Sequence, residues 1–174
     1  VMAQDQPLLA REISRVTTAN GSVQFELANK GRYKISAGGR KAFRGLTIDG
    51  LAIIDELREQ ADWDTWGAIT STTKATATGQ VIAMSNAGDA KSVVLRGLRE
   101  RALDDIEKGT ADTHGHFEYS APEEAGKFDR DGWAMANPSM GWNPGLTERA
   151  VLAEAQTAPE DIFRICLLYT SPSP

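Results

Sequence analysis

A run of four apolar residues, Leu51-Ala52-Ile53-Ile54, stops abruptly on two adjacent carboxylates, Asp55 and Glu56. Such a short run reads as a strand buried on both faces. In open α/β sheets, ligands sit outside the carboxyl ends of the strands, so these acids are expected at a binding rim. A parallel α/β sheet is the fold class that follows.

Acids so placed suit nucleotide chemistry. A short carboxylate at a strand tip can hold a water ligand of a Mg²⁺ ion that bridges the phosphates of ATP, and Asp55 fits that task. A longer one can reach past the metal to orient and deprotonate the attacking water, and Glu56 fits that task. The pair has the form of a Walker B motif. The bland alternative is the first turn of an exposed helix, where acids are favoured.

A second apolar strand, Val81-Ile82-Ala83-Met84, runs into Ser85-Asn86-Ala87-Gly88 and then a helix. In ATPases built on a central parallel sheet, small polar residues at the tip beside Walker B sense the terminal phosphate, which makes Ser85 and Asn86 candidates. An ordinary strand-to-helix turn, with Gly88 giving backbone freedom and Asp89 a cap, accounts for the same residues.

The ordered set Arg44-Gly45-Leu46-Thr47-Ile48-Asp49, Ala52 to Gln60, Ser85 to Asp89, Ser92-Val93-Val94-Leu95, Phe117 to Ala121 and Trp133 to Pro138 resembles the large terminase subunits of tailed bacteriophages. The likeness runs from about Leu9 to Ile165. It implies a partial P-loop-type (ASCE) ATPase sheet flanked by helices over 1–127, then a helical linker over 128–165 leading towards a nuclease domain. It also implies ATP and Mg²⁺ as cofactors, hydrolysis coupled to movement of double-stranded DNA, and a ring of subunits working with a portal protein and a small terminase subunit in the host bacterial cytoplasm. Asp55 is then the metal-associated acid and Glu56 the catalytic one, with Ser85 and Asn86 as coupling or sensor residues. Arg44 is a candidate arginine finger with Arg40 as a weaker rival; a plain surface ion pair is the alternative for either. A helicase-like translocase carries a similar Asp-Glu box, and a non-catalytic DNA-binding or assembly module with structural acids is a third reading.

The stretch Ser36 to Ala42 lacks the Gly-x-x-x-x-Gly-Lys-Ser/Thr frame of a phosphate loop. The family's Walker A motif is expected upstream of Val1, which is not an initiating Met. At the other end, Cys166 to Pro174 reads as a translated sequencing adapter and is set aside, with a Ser-Pro linker as the competing reading. The chain is therefore expected to be a piece of a longer protein.

The 174 residues, 41% hydrophobic and 25% charged, suit one soluble core. The only cysteine is Cys166, so neither a disulfide framework nor a thiolate metal site is expected. A net charge of −5 argues against a broadly basic coat for nucleic acid, though not against local DNA contacts. Arg96, Arg99 and Arg101 could make such contacts from the helix over 92–108, but Glu100, Asp104 and Glu107 interleave with them as on a solvated face. On that helix Val94, Leu98, Ala102 and Ile106 should face the core.

Elsewhere the patterns are local. Leu8 to Thr18 carries an ambiguous helical spacing, while Val23 to Leu27, Asn29-Lys30-Gly31 and Tyr33 to Ile35 predict a β-hairpin. Trp63, Trp66 and Ile69 share a helical face and are expected to pack. Asp112, His114, His116 and Glu118 alternate as a strand-borne metal site would, although one straight strand rarely encloses an ion. From Phe128, clustered Gly, Pro and Asn predict a connector. Beyond it Thr147 caps a helix to about Gln156, and Thr157 with Glu160 forms a capping-box pattern around Pro159.

Overall fold

A computed structural model describes residues 5–19, 22–36, 43, 45–142 and 145–168. The chain forms two compact units, 1–46 and 47–174.

The first unit is an antiparallel meander. A short helix α1 (Pro7–Glu12) leads into β1 (Ile13–Ala19), which pairs with β2 (Ser22–Leu27), which pairs with β3 (Arg32–Ile35). The hairpin matches its sequence signal: Gly31 donates its N–H to Asn29 Oδ1, Lys30 takes a left-handed conformation, and Phe25 stacks on its cross-strand partner Tyr33 at 5.1 Å between ring centroids. The helical reading of Leu8 to Thr18 holds only to Glu12. Val16, Thr17 and Thr18 are β-branched and find ladder partners in Phe25, Gln24 and Val23, so tertiary pairing overrides a marginal helix.

The second unit opens with β4 (Leu51–Ile54), crosses over through α2 (Asp64–Thr73) and returns as β5 (Gln80–Ala83), parallel to β4 with Leu51 opposite Gln80 and Ile54 opposite Ala83. Parallel strands need such a crossover. Ala52 and Ile54 are buried on one face, together with Ile69 of α2 and Leu57. Leu51, Ile53, Ile82 and Met84 lie exposed on the other, so burial on both faces is not what the described residues show. Alternate residues of a strand point to opposite faces, and here the described residues cover only one of them.

The helix α3 (Val93–Lys108) follows and ends on Gly109, whose left-handed backbone directs its N–H to Ile106 O. Val94 and Ala102 are buried as expected, Leu98 is half-buried, and Ile106 is exposed because the inward stripe outruns its partners in the last turn. An extended segment returns along α3 and enters a helical cluster formed by α4 (Arg130–Ala136), α5 (Glu148–Thr157), α6 (Glu160–Phe163) and a wide π-type turn over Arg164–Leu168. Trp133 and Phe163 meet edge to face at its centre, with Ala121, Ala125, Ala136, Val151 and Ala155 around them.

The connector expected from Phe128 thus contains α4. Its signal was Asp129, whose carboxylate accepts the N–H groups of Asp131 and Gly132 as an N-cap. Thr147 caps α5 as expected, accepting Ala150 N–H. The capping box at Thr157 does not form: that hydroxyl donates back to Ala153 O as part of α5, and Pro159 takes the N-cap position of α6. Leu167 and Leu168, within the stretch read as adapter-derived, are buried in the cluster, as apolar residues continuing a helix over an apolar surface are expected to be. Residues 169–174 of that stretch lie outside the described ones.

Candidate functional site at the β4 and β5 tips

Hydrogen bonding between β4 and β5 continues past their formal ends. Met84 N–H donates to Ile54 O at 2.9 Å and Leu57 N–H to Met84 O at 3.1 Å. Asp55 and Glu56 therefore leave β4 at the point where Ser85 leaves β5. Arg58 N–H then donates to Ser85 Oγ at 2.9 Å, which ties the segment after the acids to the β5 tip through a side chain.

Both acids are exposed. Asp55 Oδ1 accepts the N–H of Glu56 at 3.0 Å, which fixes the aspartate rotamer at the strand end. Glu56 is one of two described non-glycine residues with positive φ, at φ 52° and ψ 51°. The left-handed step turns the chain out of the strand into the single helical turn over Leu57–Glu59, and costs about 1–2 kcal/mol for a residue with a Cβ. Strain of this sort is characteristic of functional positions.

Arg58 also belongs to the site, although no motif in the sequence marks it. Its Nε lies 2.9 Å from Glu56 Oε2 and 3.4 Å from Glu59 Oε1. Despite the short distance, Nε is buried and makes no directed hydrogen bond, so the contact is one of charge rather than of aligned donor and acceptor. Only the spacing Glu-x-Arg-Glu hinted at it.

Gly88 completes the arrangement by absence of bulk. A Cβ built there would lie 2.3 Å from Ser92 Cβ and 3.4 Å from Arg58 Cβ. The β5 tip loop thus closes onto both the start of α3 and the stem of Arg58. Asp89 does not cap α3 through its side chain; its N–H reaches Ser92 Oγ at 3.1 Å, while its carboxylate accepts Lys91 N–H at 2.8 Å. Asn86 is half-buried within this loop.

The remaining sequence candidates fall elsewhere. Arg44 and Arg40 lie outside the described residues. The arginines of α3 have partners within the chain: Arg96 donates to Ala90 O, Arg99 grips Glu118, and Arg101 sits 4.9 Å above the Trp63 ring. Asp112, His114, His116 and Glu118 do not converge, and the described residues hold no group of three or more His, Cys, Asp or Glu able to bind a metal. Instead Glu118 joins the extended segment to α3. Arg99 donates to both its oxygens, at 2.7 and 2.9 Å, with His116 and Ser120 each at 3.0 Å. The Arg99 hydrogen bonds hold the Glu118 carboxyl down to about 2, against a burial that pushes the other way.

The chain has the fold of part of a solved protein. It matches the crystal structure of the HK97 bacteriophage large terminase with a TM-score of 0.73 and 24% identity, over 98% of this chain and 35% of that one. The chain thus spans about a third of the length of the protein it is similar to. No protein-family model matches it, and no curated protein does. The mixed α/β architecture is accordingly similar to that of the matched part of that terminase. No helix among the described residues is long and apolar enough to cross a membrane.

Proposed function

We propose that this chain is the Walker B-bearing part of an ATP-hydrolysing DNA-packaging motor subunit of the large-terminase type. The observation that carries the reading is the shared tip: Asp55 and Glu56 leave β4 beside Ser85 of the parallel strand β5, joined by the Arg58–Ser85 hydrogen bond. The fold match to a phage large terminase supports the same reading.

The donor set fits one part of the cofactor. Two exposed carboxylates at the carboxyl edge of a parallel strand pair offer the hard oxygen ligands that a hydrated Mg²⁺ accepts. Asp55, pinned by its own neighbour's N–H, would hold a metal-bound water; Glu56 would take the proton from the attacking water. Mg²⁺ when bound neutralises charge developing on the phosphates. Ser85, through Arg58, would report the state of the phosphates to the rest of the unit. The triphosphate cradle is a separate matter, since the sequence has no Gly-x-x-x-x-Gly-Lys frame. In this proposal other residues of a longer protein supply it, as they do the nuclease. Double-stranded DNA, portal protein, small terminase subunit and a ring of like subunits are the proposed partners, in the host bacterial cytoplasm.

The test uses the complete gene product. Glu56→Gln is expected to lower magnesium-dependent ATP turnover by roughly a hundredfold or more, the ordinary contribution of a general base. The 174-residue chain by itself is expected to show negligible turnover. Undiminished hydrolysis by the Gln variant, or robust hydrolysis by the isolated chain, overturns the assignment.

A further inference from the structure

Glu56 is held at both ends. Its backbone is in a left-handed conformation that a residue with a Cβ leaves when nothing opposes it, and its carboxylate is drawn to the Arg58 guanidinium at 2.9 Å. That contact is short but poorly aimed, since Arg58 Nε makes no hydrogen bond. A misaligned charge contact is easier to exchange for another anion than a bidentate, aligned one.

Arg58 is in turn held by the β5 tip. Its N–H is bonded to Ser85 Oγ, and its stem lies against the space that Gly88 leaves open. Ser85 and Gly88 therefore fix Arg58, and Arg58 fixes Glu56. The alternative anion on the guanidinium is Glu59, at 3.4 Å, so the positive charge already lies between two acids.

We propose that Arg58 is a positioning residue, a latch that keeps the Glu56 carboxylate in a resting place until an anionic phosphate group draws the guanidinium away. The inference rests on the reading of Glu56 as the general base. It adds that the resting enzyme is restrained by a residue on the same strand tip, and that Ser85 and Gly88 set where the restraint stands.

In the complete protein, Arg58→Ala is expected to raise ATP turnover measured without DNA by roughly two- to fivefold, the factor matching a partly exposed ion pair. KM should change little, and if the phosphates of double-stranded DNA are the anion that releases the latch, added DNA should raise turnover less in this variant than in the wild type. Arg58→Lys keeps the charge and should stay near the wild-type baseline. Should Arg58→Ala not fold, Arg58→Gln keeps the first two methylenes of the stem without the charge and reads the same quantity. A baseline unchanged in the Ala or Gln variant, with Glu56→Gln inactive, overturns the latch alone. Loss of turnover in both Ala and Lys variants also overturns it, by making Arg58 a direct participant. Full turnover by Glu56→Gln removes the reading of Glu56 itself, and the latch with it.

Discussion

Ser85 Oγ accepts the backbone N–H of Arg58 at 2.9 Å, so a side chain extends the β4–β5 ladder beyond the last backbone pair. The bond is solvent-exposed, which limits its contribution to about 0.5–1.5 kcal/mol. Ser85→Ala is expected to lower unfolding free energy by that amount in urea titration, and Ser85→Thr, which keeps the acceptor, by less. Equal stability of Ser85→Ala and wild type would mean that water replaces the hydroxyl at no cost and that the tips are held by the ladder alone.

The same substitution should have opposite effects in two helices. A Cβ at Gly67 of α2 meets nothing within 4 Å, so Gly67→Ala gains helix propensity and should stabilise by about 0.5–1 kcal/mol. At Gly97 of α3 the new carbon would lie 2.8 Å from Trp63 Cζ2, displacing the ring that Arg101 covers. Gly97→Ala should therefore destabilise by about 1–3 kcal/mol despite its better propensity. Thermal unfolding followed by tryptophan fluorescence tests both, and a stabilised Gly97→Ala would show that Trp63 has room to move.

Residues that signal through local chemistry were readable in the sequence. Asn29-Lys30-Gly31 makes its turn with its own side chains, Thr147 caps the helix beside it, and the apolar run ending at Asp55 needs nothing distant to mark a strand. What escaped depended on partners far along the chain. Thr17 and Thr18 are strand residues because Gln24 and Val23 pair with them, and His116 belongs to a clasp because α3 brings Arg99 to Glu118. Arg58 escaped for a similar reason. Its neighbours Glu56 and Glu59 are adjacent in sequence, but its tie to Ser85 and its fit against Gly88 arise only when β5 lies beside β4. The exposed face of Leu51 and Ile53 shows the converse: an all-apolar run predicts two covered faces, and the described residues cover one.

The Arg99–Glu118 clasp carries a pH signature. The Glu118 carboxyl is held at about 2 in the folded chain against an ordinary value of 4.5, chiefly by the Arg99 hydrogen bonds. A folded-state value below the unfolded one means that the stabilisation is complete above about pH 4.5 and fades as pH falls towards 2. Partial exposure of both groups reduces it to about 1–2 kcal/mol. Glu118→Gln should thus be less stable than wild type by that amount at pH 7, with the gap closing as acid is added. A gap constant between pH 7 and pH 3 would place the effect in packing rather than in charge.

Two non-glycine residues among the described ones share the left-handed backbone without sharing a role, Lys30 at φ 73° and Glu56 at φ 52°. Replacing either by glycine removes the clash between Cβ and the following carbonyl. Lys30 is weakly paired, 3.9 Å from Glu26 in an exposed turn, so Lys30→Gly should stabilise by about 0.5–1 kcal/mol and, on the proposed function, leave ATP turnover of the complete protein unchanged. Glu56→Gly also sheds its contact with Arg58, which offsets part of the relief and leaves a net gain of about 0.5 kcal/mol. On the proposed function that more stable variant is inactive, because the carboxylate, and not the backbone geometry, takes the proton. A strained residue whose removal stabilises the fold while abolishing turnover is retained for chemistry. Paired urea titrations and ATPase assays of the two glycine variants separate the cases, and a destabilised Glu56→Gly would show instead that the glutamate is there to hold the strand tips together.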